Sequence, residues 1–145
     1  MIKIICIGKI KEQYLKDMIE DYTKRIHKYH KLQIIEVKDE DNLEKEKINM
    51  LKVLDPKDHI ITMEIEGESY TSEEFARHID ELFLKTSNIT FIIGSSLGIH
   101  NDIKKLKKES ISFSKLTYPH GLFRGILLEQ IYRSFKILNH ETYHK

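Results

Sequence analysis

The hydrophobic positions of this chain follow two alternating periods. Short apolar runs, typical of strands buried on both faces of a parallel sheet, recur along its length. These predicted strands are Ile2–Ile7, Leu32–Val37, His59–Ile65, Ile89–Ile93 and Ile111–Phe113. Between them, apolar residues return every three or four positions, which predicts amphipathic helices. The predicted helices are Lys11–Lys28, Leu43–Leu54, a helix that follows Thr71, Asn101–Lys108, and a long helix from Pro119 to Leu138.

Strands that alternate with helices predict one α/β domain over residues 1–145, with a largely parallel sheet flanked by helices. Local signals define two helix boundaries. Thr71 and Glu74 have the spacing of a capping box before the third helix, and the Asp55-Pro56 pair ends the second helix. On the second helix, the pattern predicts a buried face formed by Ile48, Leu51 and Leu54.

Open parallel sheets bind ligands beyond the carboxyl ends of their strands. Three loops leave such ends, after Ile65, Ile93 and Phe113. The loop Gly94–Gly98 would let the backbone approach a ligand closely. It lacks the third glycine of a dinucleotide fingerprint and the Gly-Lys-Ser/Thr of a phosphate loop. A plain strand-to-helix turn is the commoner explanation of such a loop.

The segment Ser112–Tyr118 interleaves hydroxyl-bearing and apolar side chains, which suits the wall of an adenine and ribose pocket. A turn of ordinary polarity is the alternative. Pro119 stands where the following helix begins, a position at which its missing N–H costs little. His120 and Arg124 then lie on one face near the helix N-terminus, which attracts anions. We therefore regard the two as a candidate functional pair.

The long helix is apolar on two sides. One face carries Leu127, Ile131, Phe135 and Leu138, and another carries Leu122 and Ile126. Both faces need a cover, so we expect the sheet on one side and the same helix of a second subunit on the other. Gly121 and Gly125, one turn apart, would let two helices approach closely.

Composition narrows the class of protein. No apolar run is long enough to span a bilayer. Cys6 is the single cysteine, which excludes an internal disulfide and a cysteine zinc cage and predicts a reducing, cytoplasmic setting. Residues 101–145 contain nine Lys or Arg against four Asp or Glu, although the whole chain has a net charge of only +1. This basic end could face a nucleic acid, but a solvated helix face at Lys104–Lys108 is the more common explanation.

The C-terminal segment 139–145 concentrates titratable groups. His140 and His144 are four residues apart, as ligands on a helix can be, but no matching carboxylate or cysteine accompanies them. We therefore predict no metal site. A frayed tail is the alternative to a functional one.

Several motifs along the whole chain match one family. The most specific are FIIGSSLG at Phe91–Gly98, ISFSKLTYPHGLFR at Ile111–Arg124, and LLEQIYRSFKI at Leu127–Ile137, with YHK at the end of the sequence. With these motifs the chain resembles the bacterial large-subunit rRNA pseudouridine N3-methyltransferases, small members of the SPOUT superfamily.

The resemblance implies a deep trefoil knot in the C-terminal part of the chain, an exception to the usual unknotted topology. It implies a homodimer that modifies 23S rRNA within the ribosome. It implies that S-adenosylmethionine binds in the knot, at positions matching Met63, Gly94, Phe113, Ser114, Lys115, Leu116, Thr117 and Tyr118. The methyl-transfer site would include His120, Arg124, Tyr143 and His144, some of them from the partner subunit.

The chain departs from the family pattern at Ser95, where a second glycine is usual, at Gly121, and at His140–Thr142 before the terminal Tyr-His. Ser95 removes backbone freedom beside the expected cofactor. Two alternatives follow. One is a dimeric ribosome-binding protein whose cofactor pocket has decayed, and the other is an ordinary nucleotide-binding α/β domain without a knot. The missing nucleotide fingerprints argue against the second.

Overall fold

The computed structural model describes residues 1–145, and it has five strands and five helices in alternation. The strands are β1 (Ile2–Ile7), β2 (Leu32–Val37), β3 (His59–Ser69), β4 (Ile89–Ile93) and β5 (Glu109–Ser112). The helices are α1 (Gln13–His27), α2 (Leu43–Leu51), α3 (Ser72–Phe83), α4 (Asn101–Lys104) and α5 (His120–Leu138). Every element predicted from the periodicity is present, with shifted ends for most helices and for β3 and β5.

The five strands form one sheet in the order β2-β1-β4-β3-β5, and every neighbouring pair is parallel. Side chains on one face of the sheet pack with α1, α3 and α5 in the larger hydrophobic core. Those on the other face pack with α2 and α4 in a smaller core. Because both faces are covered, the strands read as continuous apolar runs. The predicted parallel sheet flanked by helices is confirmed, and the knot stays a prediction.

A wide irregularity interrupts β3 near the carboxyl edge of the sheet. Met63 and Glu68 both pair with Ile111 of β5, so residues 64–67 bulge out between them. Gly67 makes this possible, because a Cβ there would lie 2.7 Å from backbone atoms of Ile111. The sequence predicted the strand to end at Ile65. The bulge instead carries the chain outward, beside the ends of β4 and β5.

The capping box predicted for α3 is confirmed, whereas the buried face predicted for α2 is only partly correct. Thr71 accepts a hydrogen bond from the backbone of Glu74, whose side chain bonds back to Thr71, as the capping box predicted. On α2, however, Ile48 and Leu51 are 48% and 45% exposed, and Glu46 is buried instead. The predicted face is wrong at these two positions because a hydrogen-bonded carboxylate occupies part of the buried side, as described below.

One side of helix α5 is covered within its own chain, where it packs between α1 and α3 and where Leu127, Leu128 and Ile131 are fully buried. Leu122 and Ile126, on the second predicted face, are only partly buried. A Cβ at Gly121 would lie 2.8 Å from the side chain of Leu15, and one at Gly125 would lie 2.7 Å from Sδ of Met18. The glycines therefore admit α1 of the same chain, and the cover of Leu122 and Ile126 by a second subunit stays a prediction. None of the helices combines the length and apolar content needed to span a membrane.

Candidate active site

A cavity of about 290 Å³ opens at the carboxyl ends of β3, β4 and β5. Its walls come from the β3 bulge, the turn after β4, the loop after β5 and the first turn of α5. Of the predicted cofactor residues, the following line it: Met63, Gly94, Phe113, Ser114, Leu116, Thr117 and Tyr118. The sheet thus brings together three loops that are far apart in the sequence. Lys115 is exposed and is not among the lining residues.

The turn Gly94–Gly98 folds back on itself at the floor of the cavity. A Cβ on Gly94 would lie 2.6 Å from the carbonyl oxygen of Gly98, so only glycine fits the first position. Gly98 has a φ of +87°, and its N–H donates to the carbonyl of Ser95 at 2.9 Å. Ser95 itself does not have a positive φ. Serine in place of the usual glycine therefore adds no backbone strain at this position.

The loop Phe113–Tyr118 is held by short polar contacts and by aromatic packing. The Ser112 hydroxyl donates to the carbonyl of Ser114, and the Ser114 hydroxyl accepts from the N–H of Leu116. The ring of Phe113 packs against Phe123, with centroids 5.6 Å apart. Tyr118 stacks on the same Phe123 ring. The packing against Phe123 therefore fixes one side of the loop. Leu116 lies at the rim of the cavity and is 70% exposed.

Glu64 lies in the cavity wall, although the sequence analysis did not single it out. Its carboxylate accepts hydrogen bonds from Thr62 at 2.6 Å and Ser110 at 2.8 Å, and it pairs with Lys104 and Lys107 at 2.9 and 3.1 Å. Burial opposes ionisation, but these four donors outweigh it and lower the pKa of Glu64 to about 2. In the sequence, the only indication of this role is that Glu64 interrupts the apolar run of β3.

These ion pairs also change the interpretation of the basic segment Lys104–Lys108. Besides Lys104 and Lys107, Lys105 lies within reach of a carboxylate, 3.8 Å from Asp102. Three of the four lysines of Lys104–Lys108 therefore have an acidic partner. The run works as a local ion-pair network beside the cavity and is not an uncompensated basic surface.

His120 and Arg124 open α5 but occupy different environments. His120 lines the cavity and is exposed at its mouth. Arg124 is only 3% exposed and is not among the lining residues. Its guanidinium donates to the carboxylate of Glu36 at 2.8 Å and to the carbonyl of Gly8 at 3.1 Å. In this protomer Arg124 therefore ties α5 to the ends of β1 and β2, away from any surface phosphate.

Tyr143 and His144 lie at the other end of α5, where a polar network holds the tail. The Tyr143 hydroxyl donates to Glu129 at 3.0 Å, and Arg133 lies over its ring. His144 accepts at Nδ1 from Arg133 at 3.0 Å and donates from Nε2 to Glu73 at 2.6 Å. Burial, with contacts to Tyr22 and Glu129, raises the pKa of Tyr143, so its phenol stays protonated. These contacts hold Tyr143 and His144 against α5 and α3.

No group of three or more His, Cys, Asp or Glu side chains has the arrangement to hold a metal ion. Cys6 is buried inside β1, and burial raises the pKa of its thiol to about 11. The thiol is therefore protonated and unsuited to nucleophilic chemistry.

Comparison with known proteins places the chain in a family. The model of a family described as "Predicted SPOUT methyltransferase" matches residues 1–144. Ribosomal RNA large subunit methyltransferase H of Streptococcus uberis is 45% identical, with 99% of each chain covered. A Methanococcus maripaludis protein that carries the same name provisionally is 50% identical, again over 99% of each chain.

Among solved structures, the SpoU methyltransferase AviRb of Streptomyces viridochromogenes, crystallised with AdoMet, is similar at a TM-score of 0.49 and 7% identity. That likeness covers 92% of this chain and 60% of the other, and nothing is inferred from it. The family match and the sequence relatives decide the assignment. This chain belongs to the SPOUT methyltransferase family.

Proposed function

We propose that the protein transfers the methyl group of S-adenosylmethionine to N3 of a pseudouridine in 23S rRNA, on the ribosome in the cytoplasm. The observation that carries the proposal is the cavity itself. Nearly all of the residues expected to bind the cofactor line one space at the carboxyl ends of β3, β4 and β5. The names of the relatives, which are ribosomal RNA large subunit methyltransferases, support RNA as the substrate.

The cavity residues fit such a cofactor in kind. Gly94 lets the turn fold back against the Gly98 carbonyl, and this turn forms part of the cavity wall. The loop Phe113–Tyr118 offers main-chain groups for an adenine edge and apolar surface from Phe113 and Tyr118 for its faces. Met63 adds apolar surface from β3. Because the Lys115 side chain is exposed, we assign that residue a main-chain role only.

S-adenosylmethionine supplies a methyl group that is already activated. The protein has to align the uracil N3 with it, so that the N–C bond forms as the S–C bond breaks and a neutral thioether leaves, and it has to accept the N3 proton. His120, at the mouth of the cavity, can contact the entering base. His144 is the second candidate for the proton, but both of its ring nitrogens are engaged with Arg133 and Glu73 here. It has to leave Arg133 before it can accept a proton.

The positions of His120 and His144 favour a homodimer. His120 lines the cavity, whereas neither Tyr143 nor His144 is among its lining residues. In their own chain these two side chains contact Glu129, Arg133 and Glu73 instead. We propose that Tyr143 and His144 act at the cavity of a second subunit.

Arg124 takes a different role from the one suggested by its place in the sequence. Its buried contacts with Glu36 and Gly8 fix the first turn of α5, which carries His120. We propose that Arg124 supports the site from within the protomer and leaves phosphate contacts to exposed side chains.

The test is a methylation assay with tritiated S-adenosylmethionine and ribosomes from cells that lack this gene. The expected product is a single N3-methylpseudouridine in 23S rRNA, identified by mass spectrometry of nuclease fragments. Free 23S rRNA and isolated large subunits, assayed in parallel, show which form is the substrate. Transfer to another nucleotide, or no transfer to any form despite cofactor binding, would refute the proposal. Sedimentation analysis of the same preparation tests the dimer.

A further inference from the structure

Glu46 is a buried carboxylate that no positively charged side chain accompanies. It lies on α2, on the face of the sheet opposite α5, and it is 3% exposed. None of the ion pairs in the structure includes it. Burying an unpaired charge is costly unless strong hydrogen bonds compensate for it. A residue kept in such a position requires a reason beyond packing.

The partners of Glu46 lead directly to the floor of the cavity. Its Oε1 accepts a hydrogen bond from the hydroxyl of Ser95 at 2.7 Å, and its Oε2 accepts one from the N–H of Glu40 at 3.2 Å. The Ser95 hydroxyl in turn accepts from the N–H of Leu97 at 3.1 Å. Because the Ser95 hydroxyl donates its proton to Glu46, the lone pairs of the same oxygen can accept the N–H of Leu97. The carboxylate thus orients a contact inside the turn Gly94–Gly98.

That turn has little freedom to change shape without affecting the cavity. Gly94 packs so closely against the carbonyl of Gly98 that even a methyl group would not fit between them. Ser95, only 9% exposed, is the link between this contact and α2. Because Gly94, Ser95 and Gly98 all line the cavity, any change in the shape of the turn changes the cavity wall.

We propose that Glu46 is a positioning residue of the cofactor site, acting through Ser95 to hold the turn Gly94–Gly98 in the shape that admits the cofactor. The inference rests on the proposed function. It also gives a role to Ser95, the serine that stands where the family usually has a second glycine. Serine in place of glycine supplies a hydroxyl that anchors the turn to α2. The carboxylate is needed because both of its partners are donors, whereas a glutamine offers only one acceptor oxygen.

The experiment compares wild type, Glu46→Gln, Ser95→Ala and the double variant. Calorimetry gives the dissociation constant for S-adenosylmethionine, and hydrogen exchange of the ligand-free protein gives the protection of the Leu97 and Gly98 amides. We expect Glu46→Gln and Ser95→Ala each to weaken cofactor binding by about tenfold, the size typical of one charge-assisted hydrogen bond. The turnover number at saturating cofactor should stay within about twofold, because the reacting groups are not displaced.

The double variant should bind no worse than the weaker single variant, since both changes break the same link. Glu44→Gln is the matched control on the same helix, because Glu44 is exposed and pairs only with Lys47 and His100. Unchanged affinity and unchanged amide protection in Glu46→Gln would overturn the inference, as would fully additive losses. If wild type gives no heat with S-adenosylmethionine, the proposed function fails, while the amide protection still decides whether Glu46 holds the turn. Thermal unfolding of each variant identifies any general loss of structure.

Discussion

At the N-terminal end of α5, His120 stands exposed beside an open cavity, whereas at the C-terminal end Tyr143 and His144 are held by Glu129, Arg133 and Glu73. The first end is shaped mainly by backbone: a tight glycine turn, a bulged strand and a short loop. The second end is shaped by charged side chains. In the sequence, both ends show a histidine near polar residues and look alike.

The difference teaches that one protomer contains two separate parts of a site. The cavity end is preformed, because its walls are fixed by the sheet and by aromatic packing. The tail end is engaged with its own helix and has to exchange partners before it can act. A shared helix therefore does not make its two ends one active site.

The largest effect is expected at the tail. His144→Ala should lower the turnover number by roughly a hundredfold or more, the range for losing a general acid or base, while the cofactor affinity stays nearly constant. Single-turnover methylation and calorimetry measure the two quantities. His140→Asn is the matched control, since His140 is exposed and its φ of 55° is tolerated by asparagine. Equal losses in both variants would remove His144 from the mechanism.

At the cavity end, Gly94→Ala should weaken S-adenosylmethionine binding by up to about a hundredfold. The added methyl group has to displace the Gly98 carbonyl and the Ile99 side chain, an overpacking that typically costs about 1–3 kcal/mol. Calorimetry measures the loss. Ser96→Ala, at an exposed position of the same turn, should bind normally. Normal binding by Gly94→Ala would show that the turn does not form the cofactor site.

Arg124 tests whether the first turn of α5 is a structural anchor or an RNA contact. Arg124→Gln removes two hydrogen bonds of the guanidinium, to the partly exposed Glu36 carboxylate and to the Gly8 carbonyl, and should lower the free energy of unfolding by about 3 kcal/mol. Urea denaturation measures this loss. Lys115→Ala serves as an exposed comparison that should leave stability unchanged. Full stability combined with weaker ribosome binding would instead assign Arg124 to the RNA.

The smallest effect concerns Glu64, and it depends on pH. Its pKa is lowered from 4.5 to about 2, so the ionised form stabilises the fold above about pH 4.5 and that stability disappears as the pH falls toward 2. The full shift corresponds to about 3 kcal/mol. Because the glutamine side chain keeps part of the hydrogen bonding, Glu64→Gln should be less stable than wild type at pH 7 by a smaller amount, roughly 2 kcal/mol. The gap should close in acid. Glu66→Gln, at a cavity-lining position without an ion pair, should show no such dependence.

The strands, the capping box and the cavity residues could be predicted because they leave local signals. Ile89–Ile93 is a continuous apolar run, and the loop residues are tied to the site by their place after a strand. The environments of Arg124 and Glu46 could not be predicted. Each is buried because of partners distant in the sequence, Glu36 and Ser95, and periodicity contains no information about such pairs.

The neighbours of α5 within the chain could not be predicted for the same reason. The sequence did not reveal that α1 and α3 would cover one side of the helix, and the cover of Leu122 and Ile126 by a second subunit stays a prediction. Gly121 and Gly125 marked a close helix contact, and only the structure shows that Leu15 and Met18 occupy it. A glycine on a helix face predicts a close contact at that position, but it does not identify the residue that makes the contact.

The strand order also determines when this protein can fold during its own synthesis. Strand β4 lies between β1 and β3, so the first 88 residues contain strands that flank a position still empty. Until β4 leaves the ribosome, β1 and β3 each present an unpaired edge, the kind of surface that promotes association between chains. Chains truncated before Ile89 should therefore aggregate. The central strand of the sheet is synthesised after both of its neighbours, and β5, at the outer side of β3, is synthesised last.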